Sequence, residues 1–112
     1  MDPTPYLDRL TDDEGLTRGL VEEEAMALLR TLVDKVRAIV AKSSDEGDAT
    51  QKVEVLCRRA RDIGNVMEAM RGGSEAQVRE FAMHHRINLP AGKLTAAVVF
   101  PTLLAQLGSP GG

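Results

Sequence analysis

The stretch DATQKVEVLCRRARDIGNVMEAMR, residues 48–71, decides the fold. Within it Ala49, Val53, Leu56, Ala60, Ile63, Met67 and Met70 recur at spacings of four and three without a break. Apolar side chains at that rhythm share one face of an α-helix and form the a/d seam of coiled-coil-like packing. Such a seam, sustained over three heptads, needs a second rod to lie against.

The sequence supplies one immediately upstream. Over residues 22–42, Met26, Leu29, Val33, Val36 and Val40 follow the same helical rhythm, flanked by Ala25, Leu32 and Ile39 and widened by Leu28. A stripe this broad touches more than one neighbour and predicts a central helix. Glu22, Glu23 and Glu24 stand where the helix macrodipole favours acid, and Lys35, Arg37 and Lys42 lie toward the opposite end. The polar run 43–48, with Gly47, is a connection short enough to make the two rods antiparallel neighbours. An αα-hairpin with arms of about 30 Å follows.

Gly64 interrupts this regularity. Glycine inside a helix costs about 1 kcal/mol relative to alanine. It marks either a close approach, with Ala60 one turn before it, or a kink at Gly64-Asn65.

Outward from the hairpin, Gly72-Gly73 ends the second rod, and Ser74 with Gln77 has the spacing of a capping box. A third helix is predicted over 75–87, with Val78, Phe81, Ala82 and His85 on its inner face, stopped by the breaker cluster 88–92. Residues 93–107 form a strongly apolar fourth helix, which Pro101 kinks or splits near Phe100. Residues 1–20 read as an extended, acidic, partly ordered lead-in: Pro3 and Pro5 oppose helix, Gly15 and Gly19 interrupt it, and Tyr6, Leu7, Leu10, Leu16 and Leu20 strap it to the body. Residues 108–112 read as a disordered tail. The fold class expected is all-α, a helical bundle with one domain over 21–107.

Composition agrees. The 112 residues are 43% hydrophobic and 28% charged, the balance of one globular domain. Tyr6, Phe81 and Phe100 are the only aromatic residues, so aliphatic side chains and five methionines must build the core, which suits helix packing. The formal charge of −3 gives no global attraction to nucleic acid or anionic lipid. It is uneven, with eight acidic against two basic residues in 1–24. One cysteine, Cys57, allows no internal disulfide, and no signal peptide or span of roughly 20 apolar residues is present. A cytoplasmic location without membrane contact is expected.

Chemistry-bearing patterns are few. Glu80 and His84, one turn apart with His85 beside them, have the spacing of two metal ligands on a helix, but the set lacks a third, and no metal or other cofactor is expected. Gly72-Gly73-Ser74 before a helix resembles an anion cradle without the strand and lysine of a P-loop, and two helix caps account for it. Arg58, Arg59 and Arg61 cluster off the seam, where Glu54 and Asp62 at four-residue spacing from Arg58 explain them as a solvated face. Four serines, one cysteine and two histidines show no nucleophile–base–acid arrangement, so an enzyme is not expected.

The segment EFAMHHRINLPAGKLT, residues 80–95, followed by an apolar helix, resembles the SAP-like and LEM-like helix–extended–helix modules. That resemblance implies a DNA-binding regulator using 75–107, or binding to a protein partner. The last helix departs from the pattern by carrying no basic residue and by holding Pro101. The leading expectation is therefore a non-enzymatic helical interaction protein that self-associates as a homodimer, because its apolar stripes exceed what so short a chain can cover. The expected interface comprises Ala60, Gly64, Val98, Phe100, Leu103, Leu104 and Leu107. A further protein partner is compatible with this, and nucleic acid is disfavoured.

Overall fold

The computed structural model describes residues 1–107 and is an all-α bundle. Its helices are α1 (Thr4–Asp12), α2 (Glu22–Lys42), α3 (Glu46–Arg71), α4 (Glu75–His84) and α5 (Ala96–Ala105), with a 3-10 turn at Glu14–Thr17 between α1 and α2. No strand occurs among the described residues, and no helix there is long and apolar enough to cross a membrane. The expected tail, 108–112, lies outside the described residues.

The hairpin of α2 and α3 forms as its periodicity requires. Asp45 caps α3, its carboxylate accepting from the Asp48 N–H at 2.8 Å. At 26 residues α3 is about 39 Å long by the helical rise, and it sets the 43 Å long dimension of the molecule. Its seam residues Ala49, Val53, Leu56, Ala60, Ile63 and Met67 are buried, and Met70 packs against them partly covered.

The centre of the bundle is α3, which meets α2, α4, α5 and the 3-10 turn, whereas α2 meets α1, α3 and α5. The 22–42 helix thus touches more than one neighbour, as its broad stripe predicts, although α3 has more. The row of α2 that is fully buried is Leu28, Leu32, Val36 and Val40, while Met26, placed on the stripe by spacing, is 56% exposed. Four-residue spacing drifts slowly around a helix of 3.6 residues per turn, so a straight 28-32-36-40 row can follow one neighbour along the whole rod.

The larger correction concerns residues 1–20, which hold α1 and the 3-10 turn and are not an extended lead-in. Pro3 takes the N-cap position of α1 and Pro5 its first turn, where a missing N–H removes no helical bond. The Pro3 carbonyl accepts from both Tyr6 and Leu7 at 3.0 Å. Tyr6, Leu10 and Leu16 join the same buried cluster as the hairpin, and the Tyr6 hydroxyl stands 3.3 Å from the Glu46 carbonyl and from the Thr50 hydroxyl. The expectation that apolar side chains strap this segment to the body holds, through helix.

Gly64 explains how the segment sits so close. The helix runs through it unbroken, and the Arg18–Gly19 backbone lies directly upon it: a Cβ on Gly64 would overlap the Arg18 carbonyl oxygen. Gly19, at φ +86°, faces the same constraint against the Gly64 carbonyl. The neighbour that approaches Gly64 is thus the chain's own N-terminal segment.

Toward the C-terminus, α5 is a single helix with Pro101 inside it. Pro101 is exposed, and the bond it forfeits is to the carbonyl of Ala97, another exposed residue. Val99, Phe100, Leu103 and Leu107 are buried on the opposite side. Helix α4 ends at His84, three residues before the expected boundary.

Two glycine substitutions separate close approach from helix propensity. Gly64→Ala should lower stability by about 2 kcal/mol through overpacking, although alanine is the better helix former. Gly47→Ala, in the first turn of α3 with only the Asp45 carboxylate 3.4 Å from the new methyl, should raise stability by about 0.5–1 kcal/mol. Urea unfolding midpoints check both.

Candidate binding cleft

Where α4 gives way to the extended run before α5, the chain leaves a cleft of about 520 Å³ against the C-terminal half of α3. Its apolar floor is Ile63 from α3, Ile87 from the connection, and Leu103 and Leu107 at the end of α5. Its charged rim is Arg59 and Asp62 from α3 with His85 and Arg86 from the end of α4.

The connection is held, not loose. The Gln106 side-chain amide donates to the Asn88 carbonyl at 2.7 Å and accepts from the Asn88 N–H at 2.8 Å, clamping the run onto α5. Arg79 donates to the Gly92 carbonyl at 3.0 Å and also pairs with Glu75. His85 stacks on Phe81 with ring centroids 4.1 Å apart, and its Nδ1 stands 3.6 Å from the Asp62 carboxylate.

Helix α4 closes in a Schellman motif. The Ile87 N–H bonds to the Ala82 carbonyl at 2.8 Å and the Arg86 N–H to the Met83 carbonyl at 3.3 Å, with Arg86 left-handed at φ 56°. Glycine is the usual occupant of that position, and at the end of α3 Gly73 fills it with φ +87°. An arginine there carries a Cβ clash and places a long cationic side chain on the cleft rim.

The residues singled out from sequence fall as follows. Glu80 and His84 are exposed on α4, and no group of three or more His, Cys, Asp or Glu among the described residues could hold a metal ion. The Gly72-Gly73-Ser74 turn serves as caps: Gly72 ends α3, and the Ser74 hydroxyl accepts from the Gln77 N–H at 3.3 Å. The three arginines do not share one face. Arg59 lines the cleft, whereas Arg58 and Arg61 line a separate groove of about 230 Å³ with Arg9, Asp13, Glu54 and Cys57. Glu54 and Asp62, expected to pair with Arg58 along the helix, meet Arg9 at 3.8 Å and His85. Arg61 pairs with Asp13, and Arg71 with Glu24.

Of the seven expected interface residues, Ala60, Gly64, Phe100, Leu103 and Leu107 are buried within this one chain. Leu104 is half-buried and Val98 is 47% exposed. The cleft itself was missed by sequence reasoning. His85 was expected on the inner face of its helix but is exposed, and Arg86, Asn88 and Gln106 gave no periodic signal. The breaker cluster 88–92 was the one visible mark that a helix-free connection lay here.

Cys57 is half-buried beside Leu56, and burial pushes its thiol above the ordinary range, against smaller opposing pulls from Arg61 and Arg9. Its reaction with a disulfide reagent at pH 8 should be about tenfold slower in the folded protein than in urea. Because the unfolded thiol ionises first, its contribution to stability should be complete below the ordinary thiol range and lost as pH rises from that range through the raised folded value. Arg86→Gly should raise stability by about 1 kcal/mol by relieving the left-handed conformation, read as a higher urea midpoint. Comparison with known proteins finds no matching family model, no similar curated protein and no similar solved structure.

Proposed function

We propose that this chain is a non-enzymatic helical protein–protein interaction module that engages its partner through the cleft between α3, α4 and α5. The observation that carries this reading is a concave surface with a charged rim and the half-buried Ile87 above the core residues Ile63, Leu103 and Leu107, its connecting run clamped by side-chain hydrogen bonds. Apolar centres with polar rims are how proteins recognise one another. Among the described residues the rim holds no cysteine or serine that His85 could activate. The DNA-binding alternative loses support from the separation of the three arginines and from an α5 without any basic residue.

Self-association is the second reading, supported by Met83 and Val98, 76% and 47% exposed on α4 and α5. It rests on fewer residues than the sequence suggested, because five of the seven nominated side chains are already used in the core.

Lys93 lies in the run between α4 and α5 whose first residues, Ile87 and Asn88, line the cleft, whereas Lys35, Lys42 and Lys52 lie on the hairpin. Cross-linking in the native cell should therefore give links to another protein chiefly at Lys93. Links confined to the hairpin lysines, or none, would reject the cleft as the interface. Light scattering at about 50 µM separates the second reading, since a dimer by mass action should appear there and a monomer mass would exclude it.

A further inference from the structure

We propose that the outward face of α2 is a homodimer interface, on which a second copy of the chain lies antiparallel with Arg30 of each copy against Asp34 of the other. This rests on the self-association reading above and moves its contact from Met83 and Val98 to one helix. Successive residues of an α-helix turn by about 100°, so Glu23, Met26, Arg30, Asp34, Arg37 and Ala41 share a stripe about 80° wide. All six are exposed. The stripe stands opposite the row Leu28, Leu32, Val36 and Val40 that α2 buries, and the helices that meet α2 leave it open.

Its charges are unpaired. Arg30 and Asp34 are four residues apart, and Asp34 and Arg37 three, spacings at which helical side chains can pair. Lys52 with Asp48 and Arg79 with Glu75 do so, at 3.1 and 3.0 Å. Among the described residues Arg30, Asp34 and Arg37 form no ion pair. A stripe whose sign alternates along its length is complementary to its own reverse.

The register follows from the charges. An antiparallel pairing about a two-fold axis level with Leu32 sets residue 30 of one copy opposite residue 34 of the other, and 23 opposite 41. Two Arg30–Asp34 contacts then flank the axis. Toward each end Glu23 comes within one turn of Arg37 of the second copy and beside its Lys42, and Met26 lies along the aliphatic stem of that Arg37. Exposed alanines at 38 and 41 let the two rods approach. Neighbouring registers are opposed. A slip of one turn puts Arg30 on Arg30 in one direction and Asp34 on Asp34 in the other, and a parallel pairing sets every charge against its like.

The size of the face sets the strength. Its 21 residues make a rod about 31 Å long, and one helix laid on another buries less than the roughly 1,200–2,000 Å² of stable complexes. The dimer is therefore weak and reversible, with charge fixing its register more than its affinity.

Sedimentation equilibrium of the full chain at about 5–500 µM, in about 50 mM salt, is the test. A monomer–dimer equilibrium with Kd of about 10–100 µM is expected, weakened about fivefold at about 0.5 M salt. R30D and D34R, both at exposed positions, should each raise Kd about tenfold or more by setting like charges around the axis, with little change in the urea midpoint. The exchange R30D/D34R should return Kd to within about threefold of the starting value, which a merely structural role for either residue would not do. A double variant no tighter than either single one, or a dimer indifferent to both substitutions, would overturn the α2 contact and leave self-association through another face standing. A monomer mass over the whole range at low salt removes both.

Discussion

Backbone rests on backbone where Arg18 and Gly19 cross α3 at Gly64, and the arrangement of the bundle follows from that contact. Neither side can carry a Cβ without overlap, so the spacing between the N-terminal segment and α3 is set by two glycines and not by side-chain fit. Held at that distance, the 3-10 turn inserts Leu16, which is fully buried, and burial of a leucine contributes about 1.5–3 kcal/mol. With that side of α3 occupied, its remaining surface receives α4 and α5. The cleft is the gap left where the last two helices, joined by an extended run, fail to cover α3 completely.

Apolar surface that looked excessive in the sequence is largely accounted for by this packing. The stripes of α2 and α3 appeared too wide for so short a chain only while α1 and the 3-10 turn were left out of the bundle. Tyr6, Leu10 and Leu16 cover part of what a second copy would otherwise have covered. What remains exposed among the described residues is scattered over several elements: Met1 before α1, Val21 before α2, Met26 on it, Val55 on α3, Met83 on α4 and Val98 on α5.

Much of the fold was legible because it depends on periodicity. The boundaries 22–42 are recovered without change, and the α3 seam from Ala49 to Met67 is buried as its 4-3 rhythm demands. The failures share a cause. Pro3 and Pro5 were weighed as helix breakers, although proline at the start of a helix forfeits no hydrogen bond. Met26 was assigned by spacing alone, whereas the azimuth of a stripe depends on where the neighbours stand. The cleft was less legible still. Its rim is assembled from α3 and from the non-helical end of α4, and nothing periodic links Asp62 to Arg86 or Asn88 to Gln106. A left-handed arginine is invisible until the backbone is known.

The lopsided charge of the chain also acquires a meaning. Acids of the N-terminal quarter meet arginines of α3, Asp13 with Arg61 and Glu24 with Arg71, and Arg71 further donates to the Gly19 carbonyl at 2.6 Å. Their partners lie 47 to 52 residues away along the chain. During synthesis on the ribosome Asp13 and Glu24 therefore emerge well before the arginines that receive them. Helix α1 can settle on α2 in the meantime, but these ion pairs must wait until the end of α3 has cleared the exit tunnel. Until then the uncompensated negative charge keeps the growing chain soluble.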